Sequence, residues 1–208
     1  MPASPLTAAS PPSGAARADA SPVTTPRRPR ASGELAFDPL SLRLSLVYAT
    51  LRFRLGLTAV TEIPPAHLLG DMISAHGSLG RDAQLTPAID AFARIAAIPR
   101  MAPGQSVTLS GELQLPLSAI RPVREGAGSF MIPLVRFAFL DDDEHAQAEH
   151  TLPRLELGCV FALGLPGDGR GLAPIRIDTG PREVSGLAAN EIEAGRRRSL
   201  VPGATLAA

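Results

Sequence analysis

Residues 103–122 read PGQSVTLSGELQLPLSAIRP, and this stretch decides the fold. Apolar side chains stand at Val107, Leu109, Leu113, Leu115 and Leu117, with Thr108, Ser110, Glu112 and Gln114 among them. A period of two is the strand period, because successive side chains point to opposite faces. The odd positions are expected to face a core and the even positions water. Pro103-Gly104 is a turn that opens the strand. Pro116 falls on the water side, where a residue that cannot donate to a ladder suits a strand end or edge.

The pattern recurs toward the N-terminus. Leu42, Leu44 and Leu46 alternate with Arg43 and Ser45, and Leu51, Phe53, Leu55 and Leu57 alternate with Arg52, Arg54 and Gly56. The apolar parity flips between Leu46 and Leu51, which requires a turn or bulge there. TEIPP (61–65) breaks the chain, and HLLGDMIS (67–74) reads as a further strand. GSLGRDAQLTPAID (77–90) reads as a loop with one helical turn after Pro87. Residues 89–98 fit a helix by the spacing of Ile89, Phe92, Ala93 and Ala96, and a strand by brevity and bounding prolines.

Toward the C-terminus, IRPVREGAGS (120–129) reads as a loop. FMIPLVRFAFL (130–140) is apolar on both faces near its start, as a central strand would be. DDDEHAQAEH (141–150) is a hydrophilic hairpin loop, RLELGCVFALGL (154–165) a returning strand and PGDGRG (166–171) turn chemistry. PIRID (174–178) is a last short strand, and EVSGLAANEI (183–192) a short helix. About seven or eight short strands with no strong helix predict an all-β fold, an antiparallel immunoglobulin-like β-sandwich. A closed barrel is the alternative. A parallel sheet is disfavoured because crossover helices are missing. Residues 1–33, rich in Pro, Ala and Ser, are expected to form a disordered tail. The sandwich is expected over 34–188, and 189–208 as a short helix or frayed tail.

Composition narrows the chemistry. The chain has 208 residues, 45% of them hydrophobic, and a formal net charge of zero. That overall balance gives no electrostatic reason to favour nucleic acid, an anionic membrane or acidic substrates. Every basic residue is Arg, so a Schiff-base or general-base Lys is excluded. The one cysteine, Cys159, lies at an apolar strand position and is expected to be a buried, inert thiol. No internal disulfide and no Cys zinc cluster can form. The N-terminal residues lack an apolar h-region, so the plain expectation is a cytoplasmic protein. Arg27, Arg28 and Arg30 form a small basic cluster that could contact a lipid surface or an acidic partner.

Candidate chemistry is sparse. Asp71 and His76 stand near the end of a predicted strand and form a candidate acid–base pair. Asp141, Asp142, Asp143, Glu144, His145, Glu149 and His150 share one loop. Two metal readings follow: a hydrolase ion held by Asp71, His76, His145 and His150, or calcium held by Asp141 to Glu144. The loop lacks the glycine and ligand spacing of a helix–loop–helix calcium site, and a solvated hairpin tip is the plainer reading. No G-x-S-x-G elbow, phosphate loop or dinucleotide fingerprint is present. No cofactor, metal or catalytic residue is therefore assigned. The outward faces carry Arg43, Arg52, Arg54, Arg136, Arg154 and Arg176 among Glu112, Glu156 and Asp178. Cross-strand charge pairs are the plain reading, and a protein-recognition face centred on Arg52 and Arg54 is the functional one.

The order of these segments resembles CARDB and other bacterial immunoglobulin-like modules: YATLRFRLGLTAVTEIPPAHLLGDMISAH, then IPRMAPGQSVTLSGELQLPLSAI, then FMIPLVRFAFL. More narrowly it is similar to uncharacterised alphaproteobacterial proteins that share the SAH element, the Pro-Gly turn, the IPLV strand and a segment like LAPIRIDTGPREV. The likeness covers residues 34–188. It implies no known activity and no catalytic residues to carry over, and the expected function is a non-enzymatic protein-binding or scaffolding module, envelope-associated. Such proteins often begin with a short membrane anchor before basic residues, a pattern this sequence departs from: TTPRRPR (24–30) is either the remnant of a juxtamembrane segment of a membrane-tethered protein or part of a soluble member.

Overall fold

The computed structural model describes residues 33–85, 92–141, 155–167 and 171–192. In chain order the elements are β1 (Gly33–Leu44), β2 (Tyr48–Ala59), β3 (Ala66–Ser74), α1 (Arg81–Leu85), β4 (Ala93–Ile98), β5 (Ser106–Pro116), and a 3-10 turn at Leu117–Ala119. Then follow β6 (Val123–Glu125), β7 (Gly128–Met131), β8 (Pro133–Asp141), β9 (Leu155–Pro166), β10 (Leu172–Ala173), β11 (Ile175–Arg176), β12 (Arg182–Val184) and β13 (Ala188–Glu191). All strand pairings are antiparallel.

Seven long strands build two facing layers. One sheet runs β12-β1-β2-β5 and the other β10-β9-β8-β3-β4, with β13 also on β9. An immunoglobulin-like sandwich likewise deals its A, B and E strands to one sheet and C, F and G to the other. Here β1, β2 and β5 take the first set, and β3, β8 and β9 the second, with β4 added beside β3. A small third sheet, β11-β7-β6, closes the end where β1 turns into β2. The fold is an all-β sandwich and not a closed barrel.

The alternation seen in residues 103–122 is real. Leu109, Leu113 and Leu115 are buried, and Thr108, Ser110, Glu112 and Gln114 are exposed. β5 pairs with β2 in unbroken register from Tyr48↔Pro116 to Thr58↔Ser106. The position that interrupts the apolar series is Gly111. A Cβ there would lie 2.8 Å from both Ile95 Cγ2 and Phe53 Cζ, so the space is already filled by a side chain from β4. The same Ile95 leaves no room for a Cβ at Gly70, whose nearest atom would be Ile95 Cδ1 at 2.6 Å. Two glycines thus admit one isoleucine where the edges of the two sheets meet. At the centre, Phe37, Phe53, Phe137 and Phe161 stack, with Phe37–Phe161 centroids 4.8 Å apart and Phe53–Phe137 5.2 Å. Such offset and tilted pairs add to the area they bury.

The parity flip is a hairpin turn. β1 ends at Leu44 and β2 begins at Tyr48, so Leu46 leaves the inward series and is 82% exposed. A second irregularity, a bulge between Pro39 and Ser41, was not expected.

Other departures have local causes. A helical turn stands at Arg81–Leu85, with Asp82 in its first turn where an acid suits the helix dipole, while the turn expected after Pro87 falls on residues outside the described ones. The ambiguous segment 89–98 contains strand β4. Residues 120–129, expected as loop, hold β6 and the start of β7, joined by Gly126 at φ 58°. Residues 183–192, expected as helix, give the end of β12 and all of β13, with Gly186 at φ 66° between them. The free edge of β9 offers a ladder to Ala188–Glu191, and that tertiary pairing overrides weak helix propensity. Of the tail expected over 1–33, Gly33 belongs to β1, and residues 1–32, the DDDEHAQAEH loop beyond Asp141 and residues 193–208 lie outside the described residues. Among the described residues no helix is long and apolar enough to cross a membrane.

Candidate functional site

The two sheets differ on their outer faces. In β8, Val135, Phe137 and Phe139 point to the shared core. Leu134, Arg136 and Ala138 point the other way, yet all three are buried, as is Val160 of β9. Leu69 and Ala138 form a second apolar cluster there with Phe92 and Leu140 packed against it. The sheet is covered on both faces, as a near-continuous apolar run in β8 requires.

Arg136 is the exception in that run, and the expectation of a solvated outward arginine is corrected. Its side chain is 5% exposed. Its Nε donates to Asp71 Oδ1 at 2.7 Å, and its Nη2 donates to Asp71 Oδ2. Its Nη1 donates to the carbonyls of Ala83 (2.9 Å) and Gln84 (3.2 Å), at the end of α1. The guanidinium carbon lies 5.9 Å from the Phe92 ring centroid. Asp71 and Arg136 are cross-strand partners in β3 and β8, so register alone brings them together. One buried cation therefore ties the strap that follows β3 onto the sheet. A signal was present in the sequence: a charge inside PLVRFAFL must be paired if the strand is buried on both faces.

The candidate acid–base pair is not joined. Asp71 is engaged by Arg136, whereas His76 Nδ1 meets Ser78 Oγ at 2.8 Å and accepts from the Ser78 backbone N–H at 3.1 Å. Arg121 donates to the same Ser78 hydroxyl at 2.7 Å. His67 sits in β3 opposite Leu140 and Ala97. His145, His150 and the acids from Asp142 to Glu149 lie outside the described residues. Among the described residues no group of three or more His, Cys, Asp or Glu is placed to hold a metal ion. Cys159 is buried on the inner face of β9.

The outer face of the β12-β1-β2-β5 sheet is open. Register sets its rows: Arg43, Thr50 and Gln114; Arg52 and Glu112; Asp38, Arg54 and Ser110; Ala36, Gly56 and Thr108; Glu34, Thr58 and Ser106. Arg52 Nε lies 3.5 Å from Glu112 Oε1, and Arg54 Nη2 lies 3.4 Å from Asp38 Oδ2, with all four side chains more than half exposed. Thr58 and Ser106 share a hydroxyl hydrogen bond of 2.8 Å. The Ala36-Gly56-Thr108 row has the least side chain and forms a low furrow beside the Asp38–Arg54 pair. Such a surface can recognise polar and charged groups. The cross-strand pairing expected for Arg52 and Arg54 is present. Arg43 and Arg176 are also exposed, and Arg154 lies outside the described residues. Arg176 donates to Asp178 at 2.6 Å, which raises the guanidinium's pKa and lowers that of the carboxyl.

The sequence reading missed the surface character of the β1–β2 turn. Leu46, Val47 and Tyr48 are all exposed. The parity flip was the available signal, because a residue at the flip cannot belong to either inward series.

Compared with family models, with curated proteins and with solved structures, the chain matches none.

Proposed function

We propose that this protein is a non-enzymatic binding or scaffolding module that recognises a protein partner through the open outer face of the β12-β1-β2-β5 sheet. The observation that supports this reading is the asymmetry of the sandwich. One sheet is buried on both sides, while the other presents exposed Arg52–Glu112 and Arg54–Asp38 pairs on an uncovered surface. Exposed pairs of this kind contribute little to stability, roughly 0–1 kcal/mol each, so they are available to exchange partners. Arginine's planar fork suits carboxylates of a docking protein. The engagement of Asp71 by Arg136 favours this reading over the metal-dependent hydrolase. The likeness to CARDB-type modules and an association with the envelope belong to the same proposal.

The test uses immobilised full-length chain and the Arg52→Glu/Arg54→Glu double variant, with matching circular dichroism. The expected result is a partner captured by the parent and lost by the variant. An identical set of captured proteins would count against the face, and reproducible turnover of any substrate would count against the class.

A further inference from the structure

We propose that the β1–β2 hairpin tip, Leu46-Val47-Tyr48, docks this protein onto the surface of an anionic membrane. Leu46 is 82% exposed, Val47 58% and Tyr48 41%, three large apolar side chains in succession at a turn. Turns of this kind usually hold Gly, Asn or Asp, so apolar residues here need another reason.

The tip is also built for an apolar medium. Inside lipid, backbone polar groups must be satisfied by the protein itself. Ser45 Oγ accepts from the Val47 N–H at 3.2 Å and from the Tyr48 N–H at 2.9 Å, and donates to the Tyr48 carbonyl at 2.9 Å. The Ser45 N–H donates to the same carbonyl at 2.9 Å, and the Val47 carbonyl accepts from the Leu117 N–H at 2.8 Å. Together these bonds satisfy the backbone groups of Val47 and Tyr48, and the apolar side chains stay outermost.

Shape and charge choose the occupant. A stable protein interface buries about 800 Å² on each partner, and three residues on a projecting turn are far too few. A bilayer, being deformable, accepts a narrow protrusion. Leu and Val then enter the acyl boundary, and the tyrosine ring stays at headgroup level. The first charged residues on either side of the tip in the chain are Arg43 and Arg52, and the first after the adjacent 3-10 turn is Arg121. All three are exposed, with Glu183 paired in register to Arg43 and Glu112 to Arg52 as the acids among them. Arginines around an apolar tip complement anionic headgroups.

The test is co-sedimentation of the full chain with vesicles of phosphatidylcholine alone and of phosphatidylcholine with phosphatidylserine. The expected result is salt-sensitive binding to the anionic vesicles, weakened at least about tenfold by Leu46→Ser/Val47→Ser, whose side chains contribute nothing to the core. The chain has no Trp, so Val47→Trp supplies a single fluorophore whose emission should shift to the blue on anionic vesicles. Binding to neither vesicle overturns the proposal. So does binding that the double serine variant leaves unchanged, which would assign the contact to other basic residues such as Arg27, Arg28 and Arg30. Loss of self-association in the serine variant, without vesicle binding in the parent, would assign the tip to a second copy and equally overturn it.

Discussion

Arg136 makes the clearest demand on a single residue. Buried charge is tolerated only when paired and fully hydrogen-bonded, and Arg136 meets this with Asp71 and two carbonyls. Arg136→Ala strands the Asp71 carboxylate and is expected to cost about 3–5 kcal/mol in urea unfolding. Replacing both partners, Asp71→Leu with Arg136→Met, should recover most of that loss, because apolar pairs of similar volume do well at buried ion-pair sites. The double variant should still loosen the segment after β3, which limited proteolysis near Ala83 and Gln84 would detect. Asp178 has a different dependence. The hydrogen bond from Arg176 holds its carboxyl below the ordinary value, and the Ser129 amide adds to this. A carboxyl lowered in the folded state contributes stability above its unfolded pKa and loses it as pH falls through the folded one. Acid titration should therefore weaken the β6-β7-β11 sheet below about pH 4, and Asp178→Asn should flatten that acid limb in a pH series of thermal melts.

Among the elements, β5 was the most legible because one side of it faces a core and the other faces water. A half-buried strand writes its geometry as strict alternation. Strands β3 and β8 were readable as strands, but their cover was not: apolar residues on both sides say that a face is buried and do not say what buries it. The short strands β6, β12 and β13 were missed because three or four residues hold no period, and the partners of β12 and β13 lie farther away in sequence. For the candidate site, the exposure of Arg52 and Arg54 followed from alternation alone, and their pairing with Glu112 and Asp38 needed the register of β2 with its neighbours. The Asp71–Arg136 pair did not, since it needs the β3–β8 register. Gly111 carries the element-scale prediction. Gly111→Ala places a methyl against Ile95 and Phe53 and should cost about 1–3 kcal/mol. Pairing it with Ile95→Val should return part of that loss in the same denaturation measurement.

At the scale of the whole molecule, the sandwich is closed on one side and open on the other. The phenylalanine cluster and the inward leucines of β2 hold the layers together, so Phe137→Ala should cost about 3–5 kcal/mol. Arg52→Glu/Arg54→Glu, by contrast, should shift stability by no more than about 1 kcal/mol per pair, leaving the fold intact for binding assays. Hydroxyl-radical footprinting of the full chain, read by mass spectrometry, tests the asymmetry most directly. Leu134 and Val160, which point away from the shared core, should resist labelling, while Leu46 and Tyr48 label readily. Labelling of Leu134 and Val160 at the rate of Leu46 would mean that both sheets are bare, and would contradict the account.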